Sequence, residues 1–416
     1  MRPEGHVADA ELIVDPDTYT SGVPHDALTR LREKNVVRID DLCAGSFWAV
    51  FRYEDVRTVL RSPGVFSSHR GATQIRDPAP DDLKYVRRMM LNQDPPEHTR
   101  LRRMLTRAFT PRAVARLEEG IRANAREIVA NLSGDFAADV ADLPLLTLAD
   151  VFGVPRQDRA LLYDWSNRVI GFQDAEYALS SSSTAGMTDM ALEALQLRPD
   201  DGRDPRARDG MPDLYAYAHA LGSYKRAHPG DDVLSNLMQE DISIEEFENL
   251  FWLFSVAGNE TLRNGIPGGM IALLDHPDQY ERLRNDRSLL PTAVEEMLRW
   301  WTPVMHFRRT AVQDTELSGQ PIKAGDKVVV WFSSANRDEL VFTEPMKFDV
   351  GRREADHLSF GHGPHFCLGA QLARTQMRAI FDAVLDLPGM LRLDGEASRL
   401  RSNFQNGVKH LPLRTH

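Results

Sequence analysis

The 416-residue chain is poor in cysteine, with only Cys43 and Cys367. Two cysteines cannot build a disulfide framework, and such scarcity fits a reducing compartment, so a cytoplasmic location is expected. No apolar run is long enough to span a bilayer, which leaves no expected membrane anchor. The first residues, MRPEGHVADAELIVDPDTY, have no apolar core of the kind a secretory leader needs. An excess of basic charge is missing too. The formal net charge of -11 argues against a broad nucleic-acid footprint. No internal repeat is found. What the chain does have is length and an ordinary 42% hydrophobic content, enough to bury a large core and a cofactor.

Helical periodicity dominates. DLKYVRRMML, HTRLRRMLTRAF, VARLEEGIRANAREIVANL, TAVEEMLRWW, the run from Ile244 to Leu274 and LARTQMRAIFDAVLDL all read as helices. Strand-like pieces are short: FWAVF, FRRTAV, DKVVVWF and the tail GVKHLPLRT. Two stretches rich in Ser, Asp, Pro and Gly, 179–186 and 198–213, read as loops. Because helices follow on both sides without a change of composition, they read as mobile connections over a pocket rather than a domain linker. The expectation is a mainly α fold with a small β portion, one domain over 1–416, and a mobile lid over roughly 165–230. Cys43, beside a strand-like run, reads as a small packing residue.

Cys367 has different surroundings. SFGHGPHFCLGAQLARTQ places it after Gly361, Gly363 and Pro364 and just before Gly369 and a helix. The glycines allow a tight turn, Pro364 stiffens it, and the free N–H groups at the helix start favour a thiolate. A thiolate on a rigid loop is an electron-rich metal ligand. No second cysteine or histidine pair accompanies it, so a zinc or iron–sulfur site is poorly supported. One protein ligand suffices when the metal brings the other ligands with it.

FGHGPHFCLG resembles the haem-binding signature of the cytochrome P-450 monooxygenases, with Phe360, Gly363, Cys367 and Gly369 in register. The resemblance extends from FRYEDVRTVL to NGVKHLP. It implies the P-450 fold, with haem b between a long central helix and the cysteine loop, Cys367 as the iron ligand and Phe360 beside it. A thiolate ligand favours O–O cleavage.

SIEEFENLFWLFSVAGNETLRNGIPGGM opens on a capping box, Ser243 with Glu246. On a purely structural reading, Gly258 permits close packing and Thr261 bonds back to a carbonyl one turn earlier. AGNET resembles the family's oxygen-activation motif, which implies a groove for dioxygen at Gly258, a hydrogen bond to the dioxygen from Thr261 and a proton relay through Glu260. Pro267 is expected to kink the helix or end its regular part.

By the same resemblance, Glu296, Arg299 and Arg352 form a buried ion network with a structural role. His98, Arg102, Arg309 and His365 meet the haem carboxylates, for which arginine is the natural partner. Arg103 and Arg107 are candidates for a docking patch facing an acidic electron-transfer protein. Val256, Ala257, Val304, Met305 and Phe307 are the candidate substrate-pocket residues, and their apolar character favours a hydrophobic substrate. AGNETLRNGI, HFRRTAVQDTELSG and SNFQNGVKHLP look like a bacterial subgroup acting on steroids, branched lipids and terpenoids. His306, Gln405 and Asn406 leave room for an oxygenated or aromatic substrate.

The expected function is insertion of one atom of dioxygen into a C–H bond of a hydrophobic small molecule. Electrons would come from NAD(P)H through a ferredoxin and its reductase, since the chain has no flavin or iron–sulfur segment. A monomer is expected. The alternatives are a monooxygenase of an aromatic or polyketide-type metabolite and a haem-thiolate binding protein without turnover.

Overall fold

A computed structural model describes residues 4–41, 45–199 and 203–415. Cys43 and part of the 198–213 loop lie outside the described residues. The chain folds as a mainly helical body with a small sheet to one side. That sheet has five strands in the order Val36–Asp41, Gly45–Val50, Lys327–Trp331, His306–Ala311 and Phe66–Ser67. Its central pair, Gly45–Val50 and Lys327–Trp331, is parallel, with Val50 level with Val330, and the other pairs are antiparallel. The run of Val328, Val329, Val330 and Trp331 is buried on both sides, as a central strand requires.

Most of the expected helices form within a few residues of their sequence limits. Pro111–Ala130 lies along Ala370–Leu385, and Leu290–Trp301 packs against the second half of the central helical run. The local signals act as the sequence indicates. The Ser243 side chain accepts from the Glu246 N–H, and the Glu246 carboxylate accepts from the Ser243 N–H. This capping box starts the helix Ile244–Ala257.

The expected single helix from Ile244 to Leu274 is two. Ile244–Ala257 ends at Gly258, and Glu260–Asp275 begins after Asn259. Pro267 ends nothing, because the second helix runs through it to Asp275. The interruption falls on two weak helix formers, Gly258 and Asn259. The Thr261 hydroxyl donates to the Ala257 carbonyl at 3.2 Å, taking up an acceptor at the break. The stretches 179–186 and 203–207 carry no regular element, while short helices form at Asp189–Leu195 and Arg208–Gly210. No described helix is long and apolar enough to cross a membrane.

Candidate active site

Gly363 lies at φ +70°, in the left-handed region, and a Cβ there would stand 2.7 Å from the Leu60 carbonyl oxygen. Only glycine meets both conditions without strain. The Cys367 N–H donates to the Phe360 carbonyl at 2.8 Å, closing the loop on itself. Gly369 caps the helix Ala370–Leu385, and its N–H faces the Cys367 sulfur. Sequence reasoning expects that helix end to favour a thiolate. In the folded protein burial dominates and pushes the thiol up from its ordinary range, against the opposing pull of the Gly369 N–H, Arg102 and Arg374.

Cys367 looks into a cavity of about 260 Å³ whose walls include Leu262, Phe254, Phe360, Leu368, Leu372 and Ala373. At one end the cavity meets His98, Arg102, Arg309 and His365, contributed by three separate parts of the chain. The rings of His98 and His365 are 4.0 Å apart. Burial, reinforced by the neighbouring arginines, lowers His98 to about 4 and His365 to about 2. Burial brings Arg309 down to about 10. Arg102 donates to the Phe366 carbonyl at 2.6 Å, and Arg309 to the Arg308 carbonyl at 2.8 Å. Strand alternation separates the two neighbouring arginines. Arg308 turns to Asp77 at 2.5 Å, whereas Arg309 turns to the cavity. Among the described residues no carboxylate pairs with Arg102 or Arg309, although most arginines of this acidic chain are paired.

This donor set fits haem. A single sulfur faces an apolar slot, with two acid-free arginines and two histidines at its edge. Cys367 would ligate the iron, and Arg102, Arg309, His98 and His365 would receive the two carboxylates. Among the described residues no cluster of His, Cys, Asp and Glu could hold a metal ion.

A second cavity, of about 320 Å³, adjoins the first, and Leu91, Leu253, Ala257, Thr261, Val304 and Phe307 line both. Of the expected pocket residues, Val256, Ala257, Val304 and Phe307 line it. Met305 does not, because it is fully buried in the core and its N–H donates to Phe404. Leu91, Asn92, Ile170, Trp252 and Phe404 line it without having been singled out, for apolar periodicity alone cannot separate a cavity wall from a core. His306 is buried behind that wall, against Trp331 and Phe404, and burial lowers it to about 3.

Thr261 lines both cavities and Gly258 the first. A Cβ at Gly258 would stand 2.8 Å from Leu148 Cδ1 and 2.9 Å from the Phe254 carbonyl oxygen, so the absent side chain keeps a crowded wall open. Glu260 lines neither cavity. It is completely buried behind them, paired with Arg263 at 2.6 Å and accepting from Ser166 at 3.2 Å and Asn264 at 3.0 Å. Arg263 in turn lies over the rings of Tyr163 and Tyr177 and donates to Asn167. The acid beside Thr261 is therefore tied into a buried ion cluster. Sequence spacing alone did not show this, because Ser166 and Asn167 lie about a hundred positions away.

Elsewhere in the fold, Arg299 binds Glu296 at 2.7 and 2.8 Å, and Arg352 binds the same carboxylate at 3.0 Å. The two guanidinium groups also donate to the carbonyls of Asn336, Pro345, Thr343 and Lys347. Arg353, the neighbouring alternative, is exposed.

A fold of this shape, with one cysteine and a threonine lining the same apolar slot, is that of a haem-thiolate oxygenase. The model of the family Cytochrome P450 matches residues 225–387. Steroid C26-monooxygenase of Rhodococcus jostii is 38% identical, over 95% of this chain and 82% of that protein. Methyl-branched lipid omega-hydroxylase of Mycobacterium tuberculosis is 37% identical, over 99% and 96%. A Mycobacterium marinum cytochrome P450 solved with pseudoionone superposes with a TM-score of 0.83 at 34% identity, covering 95% of this chain and 96% of the other. The chain belongs to the cytochrome P450 family. It is a haem-dependent monooxygenase with haem b as cofactor and dioxygen as co-substrate.

Proposed function

We propose that the protein hydroxylates a C–H bond of a steroid, branched lipid or terpenoid that enters the larger cavity. The observation that carries this reading is the continuity of the two cavities. An apolar wall of Val256, Val304, Phe307 and Phe404 leads directly to Ala257 and Thr261, which also line the cavity that holds Cys367. The named activities of the relatives support the same class of substrate.

Haem, held through Cys367, supplies dioxygen activation. The protein's own side chains bind, orient and move protons around it. Thr261 Oγ1, now donating to the Ala257 carbonyl, can turn its hydroxyl proton to an acceptor in the cavity. Glu260 acts on Thr261 only through rearrangement of its ion pair with Arg263, because it has no direct access to the cavity. The apolar wall excludes bulk water from the reacting carbon. Arg102 and Arg309 would neutralise the haem carboxylates and the uncharged His98 and His365 would hydrogen-bond to them, while Glu296, Arg299 and Arg352 tie together the segment 336–349 that precedes the sulfur loop.

Electrons arrive from NAD(P)H through a ferredoxin and its reductase. Arg103 and Arg112 support this route, being exposed on or next to the helix that carries Arg102 and unpaired with any acid among the described residues. Arg107 is also exposed but already faces Glu240 at 3.7 Å. The test is a screen of steroids, branched lipids, terpenoids and phenolics by substrate-induced spin-state change, followed by product analysis with surrogate redox partners. A shift and hydroxylated product from the first three classes is expected. Binding confined to phenolics would overturn the substrate class.

A further inference from the structure

In the stretch Asn403-Phe404-Gln405-Asn406, three carboxamides stand within four residues. Two are consumed by the fold. Asn403 donates to the Val14 carbonyl at 2.5 Å. Asn406 donates to the Trp301 carbonyl at 2.5 Å and accepts from Arg399 at 3.0 Å. Gln405 is different. It is 3% exposed, lines the larger cavity, and makes no side-chain hydrogen bond among the described residues. Buried amides are rarely left without partners, and leaving one so is unfavourable unless something else satisfies it.

The backbone under this side chain is fixed. The Gln405 N–H donates to Ser402 Oγ at 3.1 Å, and the Asn406 N–H to the Pro303 carbonyl at 2.9 Å. Val304 and Gln405 form an antiparallel bridge. Gln405 therefore presents a polar group from a rigid support, beside Val304, Phe307 and Phe404, in a cavity whose lining also includes the charged Arg76, Asp77, Asp204 and Arg206. A carboxamide in an apolar wall fits the oxygen of a mostly hydrocarbon ligand.

We propose that Gln405 is a specificity-determining residue whose Oε1 accepts from a substrate hydroxyl, or whose Nε2–H donates to a substrate keto oxygen, so that the substrate is an oxygenated lipid rather than a plain hydrocarbon. This rests on the reading that the larger cavity holds a hydrophobic substrate. Because Gln405 and Thr261 line the same cavity, an oxygen held by the carboxamide also selects which carbon is brought to Thr261.

The test uses the haem-loaded full chain and two probes, pseudoionone and the hydrocarbon of the same skeleton without the keto oxygen. Dissociation constants are measured by spin-state titration and by calorimetry, for the wild type, Gln405→Leu and Gln405→Met. The expected result is a roughly three- to tenfold preference for the ketone in the wild type, the range one neutral hydrogen bond supplies. Both variants should lose that preference while retaining or improving affinity for the hydrocarbon. Equal wild-type affinities, or a preference unchanged in both variants, would overturn the role of Gln405 and leave the substrate class standing. Failure of both probes to bind the wild type would overturn the hydrophobic-substrate reading itself. The wild-type comparison needs no variant to fold.

Discussion

Arg352 reaches Glu296 across 56 residues of chain, placing its Nε 3.0 Å from Oε2, the same oxygen that accepts from Arg299 Nε at 2.7 Å. All three side chains are at least nine-tenths buried. Such a network contributes little when compared with an apolar substitute, yet it is costly to break in part, because each remaining member becomes an unpaired buried charge.

Removal of one member is therefore expected to be severe. Glu296→Gln should lower stability by about 3–5 kcal/mol. The check is chemical denaturation together with the fraction of purified protein that shows the thiolate-ligated absorption of the reduced, CO-bound state. A variant with wild-type midpoint and full haem content would remove the network from the architecture of the loop.

Gly363→Ala tests the turn from its other side. The left-handed backbone alone costs a non-glycine residue about 1–2 kcal/mol. The added methyl also meets the Leu60 carbonyl oxygen at 2.7 Å, backbone against backbone, where neither side yields readily. Reduced haem retention on dilution is the expected readout.

Thr261→Ala should leave substrate affinity within about twofold, since one hydroxyl at the cavity edge contributes little to binding an apolar molecule. Product formed per NADH consumed should fall by roughly tenfold or more. Coupling is read from parallel assays of NADH, peroxide and product. Tight coupling in the variant would take the hydroxyl out of the proposed proton step.

His306 gives a pH dependence whose sign is fixed by its burial. The folded protein holds it at about 3, below its ordinary 6.5, so the neutral form is favoured in the native state. The unfolded chain gains a proton below pH 6.5 that the folded chain refuses. Stability is therefore fully present above that pH and is lost as the pH falls toward 3, by up to about 1.4 kcal/mol per pH unit from this group. His306→Phe should reduce the stability lost between pH 7 and pH 5 by about 2 kcal/mol. Paired denaturant titrations at the two pH values measure it, and an unchanged difference would refute the assignment.

Charge reversal at Arg103 and Arg112 together should slow reduction by a surrogate ferredoxin and weaken its dependence on ionic strength, without moving the substrate dissociation constant. A reduction rate indifferent to both changes would place the electron-transfer partner on another surface.

The residues of Ser359–Gln376 carried their meaning in their spacing. A glycine turn, a cysteine and a helix start are local features, and the geometry found at Gly363 and Gly369 follows from them. The capping box at Ser243 is equally local, since all of its atoms lie within one helical turn. The pairing of Glu296 with Arg352 was accessible only through family resemblance. The interruption at Gly258–Asn259 is not announced by the sequence, where Pro267 is the louder signal, yet the helix Glu260–Asp275 carries Pro267 in its interior despite the backbone hydrogen bond it removes.

The amino-acid order by itself determined where most of the helices begin and which loop carries the sulfur, because these depend on neighbours a few positions away. Tertiary structure alone decided which polar groups reach the cavities. It tied Glu260 to Arg263 and Ser166, sent Met305 into the core, pushed the Cys367 thiol up from its ordinary range and left Gln405 free among bonded carboxamides. Burial and hydrogen-bond satisfaction are properties of everything packed around a group, and most of what packs here comes from distant parts of the chain.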